Sequence, residues 1–261
     1  MNSNVQIMLM DRALYAGTEL ERDVLPQLHA GEQTRYRAFT HSQRRLGWLA
    51  GRALLLAALQ HELGDIDPTA LRTQPEGSLR YEAARIHLNL SHSGDLFAAA
   101  LSPDPVGIDI EWPRPRKLID NVADYFAKEE VTCLQALPEA QRQLAFYRLW
   151  TLKEAACKSV GLSLWQTLRR CVVDLAASRV ACSPPFPAGA WRFISAQVEP
   201  GWCLAIALQG VSQPVNAGCW RLVTPGQWQA QKLAEVMSLQ GESLPADTHD
   251  IKTNLHHSSH A

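Results

Sequence analysis

The sequence has no C-x-x-C pair. Its six cysteines, Cys133, Cys157, Cys171, Cys182, Cys203 and Cys219, are scattered, mostly through apolar stretches. That leaves no disulfide framework or zinc site to expect, and reduced cysteine in such places behaves as a small hydrophobe. No run of about eighteen apolar residues is present, so no membrane span is expected. The opening MNSNVQIMLMDRALYAG lacks a basic first region, and Asp11 and Arg12 break its apolar run, so it does not read as a signal peptide. There is also no basic surplus: 25 Lys and Arg against 26 Asp and Glu leave a formal net charge of -1, which gives nucleic acid no footprint. We therefore expect a cytoplasmic protein without nucleic-acid or membrane partners. What is present is a 46% apolar, 20% charged chain of 261 residues, enough for one large domain or two modest ones with a sizeable core.

Val5 to Leu14 is largely apolar and reads as a first strand. Thr18 to Ala30 carries Leu20, Val24, Leu25 and Leu28 at helical spacing. From Ser42 to Leu63 the spacing of Leu46, Leu49, Ala53, Leu56, Leu59 and Leu63 predicts a helix, ended by Gly64-Asp65 and Pro68. Arg72 to Arg85 reads as a loop or short hairpin. His87 to Leu90 and Leu96 to Leu101 read as strands about a turn at Ser91-His92-Ser93-Gly94-Asp95, and Val106 to Glu111 as another strand. Pro113 and Pro115 mark a boundary. Lys128 to Val160 is helical with an interruption at Pro138. Val172–Leu175, Trp191–Gln197, Cys203–Leu208 and Cys219–Leu222 are strand-like, and Gln227 to Leu239 is expected to form one further helix. The organisation expected is two α+β halves, 1–112 and 113–225, followed by the helix and a disordered polar tail over 226–261. No repeat of identical residues links the halves.

Two stretches carry candidate chemistry. In Val106-Gly107-Ile108-Asp109-Ile110-Glu111-Trp112, strand alternation sends Ile108 and Ile110 inward and puts Asp109 and Glu111 on the other face, roughly 6.5–7 Å apart. Two such carboxylates repel each other, and a hard cation such as Mg2+ relieves that with oxygen ligands. Gly107 allows another backbone to approach. In Trp150-Thr151-Leu152-Lys153-Glu154-Ala155-Ala156-Cys157-Lys158, helical spacing aligns Trp150, Glu154 and Lys158, with Lys153 about 100° round. Glu154 can complete a three-carboxylate site, and Lys153 and Lys158 can neutralise phosphate oxygens. Each stretch also has a plainer reading: a solvated acidic edge strand, and an exposed i,i+4 Glu–Lys pair.

Taken together, with Trp150 39 positions after Glu111, the two patterns resemble the signature of Sfp-type 4'-phosphopantetheinyl transferases. Within that family they are nearest to the stand-alone holo-acyl-carrier-protein synthases of Gram-negative bacteria. Asn89 to Asp95 resembles the family's Ser-His turn, and Arg44-Arg45 with Trp48 to Leu55 its N-terminal helix. The resemblance runs from about Arg35 to Leu164. It implies an α+β fold, a pseudo-twofold pair of similar halves, each a small antiparallel sheet packed with helices. It also implies a monomer that moves 4'-phosphopantetheine from coenzyme A to a serine of an apo acyl or peptidyl carrier protein, releasing adenosine 3',5'-bisphosphate.

Residue by residue, the resemblance makes Asp109, Glu111 and Glu154 the Mg2+ ligands, with Asp109 also beside coenzyme A. Lys153 and Lys158 would face the coenzyme A phosphates, and Ser91, His92 and Arg35 the 3'-phosphate end. Where the family has Gly-Lys-Pro, this chain has Gly77-Ser78-Leu79, and Arg72 or Arg80 would supply the charge. Lys158 would stabilise charge in the transfer. Glu154, directly or through water, would be the general base, with its pKa lowered by its cationic surroundings. Arg114, Arg116 and Lys117 are candidate docking charges for an acidic carrier, or a solvated basic linker. Without the resemblance, His92 reads as a local hydrogen-bonding residue. The tail histidines His249, His256, His257 and His260 are read as having no role. A metal-dependent phosphohydrolase and a non-catalytic module docking on a synthase also fit parts of the pattern.

Overall fold

The computed structural model describes residues 3–15, 17–75, 77–114 and 125–243. The chain begins with β1 (Ser3–Asp11). Four short helical pieces follow: a tight turn over Arg12–Leu14, α1 (Gly17–Glu19), a wide turn over Leu20–Val24 and a tight one over Leu25–Gln27, which carries Pro26 in its first turn. The helical spacing of this region is thus used by short turns rather than one helix. Next come α2 (Ala30–Arg37) and α3 (Ser42–Leu63), the latter with the bounds its periodicity predicts. Gly64 caps α3 at φ 81°, its N–H reaching the carbonyl of Gln60 at 3.0 Å, a conformation that suits glycine.

The strands β2 (Leu71–Thr73), β3 (Leu79–Tyr81), β4 (His87–Ser93), β5 (Leu96–Ser102) and β6 (Val106–Glu111) follow. After them come α4 (Lys128–Ala136), α5 (Glu139–Val160) and α6 (Leu164–Thr167). The chain continues through β7 (Cys171–Asp174), β8 (Arg179–Cys182), β9 (Ala190–Val198), β10 (Trp202–Gln209), β11 (Val215–Thr224), β12 (Gln227–Ala230) and β13 (Ala234–Ser243).

Two sheets form, in the orders β12-β11-β1-β5-β4-β3-β2 and β6-β10-β9-β13-β8-β7. They pack face to face, and alternation along the strands explains how. Ile7 and Leu9 of β1 and Ala98 and Ala100 of β5 meet Ile108 and Ile110 of β6 and Leu204, Ile206 and Leu208 of β10 between the sheets. The intervening Met8, Met10, Phe97, Ala99 and Leu101 pack outward beneath α3. On the other side, Cys203, Ala205 and Ala207 of β10 pack beneath α5. Strands buried on both faces read as unbroken apolar runs, which is why Leu96-Phe97-Ala98-Ala99-Ala100-Leu101 has no polar interruption. The order is helix, sheet, sheet, helix, with α3 and α5, each of 22 residues, on the outer faces of two similar α+β halves.

The boundary of the halves differs from that expected at residue 112. β6 belongs to the second sheet, where it pairs antiparallel with β10. β11 returns to the first sheet, parallel to β1, and β12 continues it. The stretch 227–239, expected as a helix, forms β12 and much of β13. Its Val236 and Leu239 fit helical spacing, but pairing of β13 with β9 and β8 decides the outcome. The tail expected to be disordered lies, from residue 244 on, outside the described residues.

Candidate functional site

The site lies on the seam where the first sheet meets β6. As the edge strand of its own sheet, β6 has backbone N–H groups that need partners. β4 supplies them from side chains: Ile108 N–H donates to Asn89 Oδ1 at 3.0 Å, Ile110 N–H to Ser91 Oγ at 3.4 Å and Trp112 N–H to Ser93 Oγ at 3.2 Å. Alternation along β4 puts these three side chains on one face. The expected turn is thus confined to Gly94-Asp95; Ser91, His92 and Ser93 are strand residues, paired with Ala98, Phe97 and Leu96 of β5. His92 therefore points away from Ser91 and stacks on Phe97, with ring centroids 4.9 Å apart.

Each serine also holds one carboxylate. Ser91 Oγ donates to Asp109 Oδ1 at 2.7 Å, and Ser93 Oγ to Glu111 Oε2 at 2.9 Å. Across the seam, α5 comes close because residue 107 is glycine. A Cβ there would stand 2.0 Å from the carbonyl oxygen of Ala155 and 2.6 Å from the amide nitrogen of Ser159. This contact brings the last two turns of α5 onto β6. Lys158 Nζ then donates to Asp109 Oδ1 at 2.7 Å and to Ser91 Oγ at 3.0 Å. Glu154, half-buried one turn earlier, feels the same charges. Burial is the main cause that pushes its pKa up to about 7; Lys158 opposes the rise, and Asp109 and Glu111 add to it. In the metal-free protein the direction is thus upward, opposite to the lowering expected with a cation beside Glu154: desolvation beside two carboxylates outweighs one ammonium.

Asp109 is only 4% exposed, and its Oδ2 is buried without a hydrogen-bond partner. Lys158 already neutralises the other oxygen, so the orphaned Oδ2 calls for a further partner, which a hard cation or an ordered water can supply. Among the described residues, no three His, Cys, Asp or Glu side chains are already gathered closely enough to hold a metal ion. The donor set nonetheless suits a hard cation. Asp109 has a vacant oxygen lone pair, and Glu111 and Glu154 raise the same electrostatic field, with oxygen the only ligand type. Two cavities, of about 520 and 560 Å³, lie away from the seam, around Trp228 and Trp191 respectively.

Lys153 is not part of this cluster. It is fully buried on the adjacent face of α5, 2.8 Å from Glu130 Oε1, and donates to the carbonyls of Leu168 and Cys171. Glu130 in turn accepts from the N–H groups of Ala127 and Val173 at 2.9 and 2.8 Å. The expectation that Lys153 faces coenzyme A phosphates is corrected accordingly. The 100° step from Glu154 turns it inward, where it ties α5 to α4 and β7.

Arg35 is exposed near the end of α2. Arg72 and Arg80 are direct cross-strand partners on the β2–β3 hairpin, and Arg72 pairs with Glu82 at 3.4 Å. Arg114 is exposed, and its backbone is held at both N–H and C=O by the hydroxyl of Tyr147, at 3.1 and 2.8 Å. Arg116, Lys117 and the tail histidines lie outside the described residues. The sequence reading missed Asn89 and Ser93, whose signal is period-2 polarity in Asn89-Leu90-Ser91-His92-Ser93. The pKa of His92 is lowered, first by burial and then by Lys158 and Arg12, so Arg12 stands within electrostatic reach of it.

Comparison with known proteins supplies the family. Residues 105–207 match the model of the 4'-phosphopantetheinyl transferase superfamily, a span that runs from the start of β6 into β10 and includes both acidic stretches. The chain is 36% identical over 159 residues to the 4'-phosphopantetheinyl transferase AcpT of Salmonella typhimurium, covering 55% of this chain and 79% of that one. It is 34% identical over 158 residues to a 4'-phosphopantetheinyl transferase of Bacillus subtilis, covering 59% and 69%. With the 4'-phosphopantetheinyl transferase HetI of Nostoc sp. it shares 29% over 191 residues, covering 70% and 74%. With a matching family model across both acidic stretches and relatives of this identity and coverage, the chain belongs to the 4'-phosphopantetheinyl transferase superfamily.

Proposed function

We propose that this protein transfers 4'-phosphopantetheine from coenzyme A to a serine of an apo acyl or peptidyl carrier protein, with Mg2+ held by Asp109, Glu111 and Glu154. The observation that carries the reading is the buried, partnerless Oδ2 of Asp109 beside Glu111, Glu154 and Lys158. In the reaction, the carrier serine Oγ attacks the β-phosphorus of coenzyme A. The bond to the oxygen bridging the α- and β-phosphates breaks, and adenosine 3',5'-bisphosphate leaves. Bound Mg2+ would supply positive charge against the pyrophosphate.

The chain's own residues do the rest by position and charge. Ser91 and Lys158 fix Asp109 in place. Lys158, only partly buried, presents its remaining N–H to phosphate oxygens as negative charge builds. Glu154, the half-buried carboxylate of α5 in line with Lys158, takes the serine proton. His92, Arg35, Arg72 and Arg80 are assigned to the nucleotide end of coenzyme A. Incubating apo carrier proteins with coenzyme A and Mg2+ and weighing them tests the reading. A mass gain of one phosphopantetheine supports transfer, whereas release of adenosine bisphosphate without that gain identifies a hydrolase and sinks it.

A further inference from the structure

Trp165 of α6 is 62% exposed, the most exposed large apolar side chain among the described residues. It is nevertheless ordered by two edge-on ring contacts: Tyr125 at 5.4 Å and Trp150 at 6.2 Å between centroids. Trp150 is buried and stacks further on Phe146 at 5.9 Å. Trp150 precedes Glu154 by one helical turn on the same face of α5, a rise of roughly 6 Å. An exposed indole therefore sits on an ordered aromatic stack whose inner ring, Trp150, lies one turn of α5 before the carboxylate assigned to the acceptor serine. Among the described residues, the exposed charges next to these rings in sequence are mostly basic. Arg169 and Arg170 are exposed directly after α6, and Lys128 is exposed at the start of α4 beyond Tyr125, with Glu129 the acidic exception. Trp, Tyr and Arg are the residue types that dominate binding energy at protein interfaces, most of all where an aromatic is held rigid before the partner arrives.

We infer that Trp165, backed by Tyr125 and flanked by Arg169 and Arg170, is a docking anchor for the carrier protein. It would receive an acidic surface of the carrier with an apolar contact at its centre, while the carrier's serine enters the seam at Glu154. The inference rests on the proposed transfer reaction. The occupant follows from position: the substrate that brings its serine to α5 must lay its body on the surface beside it, and the cationic rim selects a partner of opposite sign.

The test uses full-length protein, coenzyme A, Mg2+ and two probes, an apo acyl carrier protein and an apo peptidyl carrier domain. If the wild type loads neither, the transfer reading fails and the docking inference falls with it. If it loads either, Trp165→Ala is expected to raise KM for that carrier at least tenfold. KM for coenzyme A and kcat at saturating carrier should stay within twofold, and Trp165→Phe should restore most of the loss. A carrier KM within twofold of wild type, or an equal rise in KM for coenzyme A, overturns the anchor. So does a wild-type dimer that Trp165→Ala dissociates, which would assign the face to a second copy. Should Trp165→Ala unfold, Arg170→Glu is read instead. A threefold or larger rise in carrier KM supports the inference, and an unchanged KM rejects it.

Discussion

Glu154 and Lys153 are neighbours in sequence with opposite fates, and the contrast yields three predictions. Glu154 has a pKa of about 7 against an ordinary 4.5, because folding half-buries it near Asp109 and Glu111. Between those values the folded state binds the proton and the unfolded state has released it, so metal-free protein should lose stability as pH rises from 4.5 through 7. A Tm series in chelator should show that fall, Glu154→Gln should flatten it, and Mg2+ should oppose it at pH 8. The same variant should lose about 10²-fold or more of kcat while folded; near wild-type loading would remove Glu154 from the reaction. Lys153→Met should act differently, since it strands Glu130 in the core. A loss of about 3–5 kcal/mol is expected in denaturant unfolding. KM for coenzyme A should not rise in the protein that remains folded. A selective rise in that KM would return Lys153 to the phosphates. Nothing in the local sequence separates the two residues except a 100° step, and which side of α5 is buried depends on what packs there.

At the scale of elements, the site depends on how closely β6 can approach α5. Gly107→Ala places a methyl within 2.0 Å of the Ala155 carbonyl oxygen, backbone that has no rotamer to yield. Overpacking of this kind costs about 1–3 kcal/mol. Forcing β6 off α5 should also separate Asp109 from Lys158, so transfer should fall even where the protein stays folded, which a loading assay on purified, folded variant reads. Asn89→Ala leaves the Ile108 N–H without its acceptor, at a cost of about 1–3 kcal/mol. Amide exchange at Ile108 should accelerate more than at the β10-paired amides of β6.

Much at this scale was legible in the sequence. The bounds of α3 follow from its leucine spacing and Gly64, the facing of Asp109 and Glu111 from alternation, and the tight packing at residue 107 from its glycine. The opposite facing of Ser91 and His92 was not legible, because a Ser-His-Ser-Gly-Asp string favours a turn locally, and only the pairing with Phe97 and Leu96 shows that the strand continues.

For the whole molecule, the exchange of strands between halves has mechanical consequences. β6 lies in the second sheet, and β11 and β12 close the first from the far end of the chain. Cutting at residue 112 would leave β1 without its β11 partner and β10 without β6. Calorimetry should therefore show one cooperative transition, and neither 1–112 nor 113–261 should fold alone by circular dichroism. Two separate transitions would restore the simpler division of halves. Sequence order could not reveal this closure, because the β1–β11 register pairs residues more than two hundred positions apart, such as Ile7 with Cys219, and no local propensity encodes such a distance.

The side-chain ladder on β4 also works as an indexing device. Slipping β6 by two residues along β4 would keep its amides opposite Asn89, Ser91 and Ser93, so these amide-to-side-chain bonds alone would accept several positions. Only one of them sets Asp109 against Ser91, Glu111 against Ser93 and residue 107 under Ala155 at once. The hydroxyl-to-carboxylate bonds thus act as a detent, and misalignment of the halves and loss of the acidic cluster become the same error.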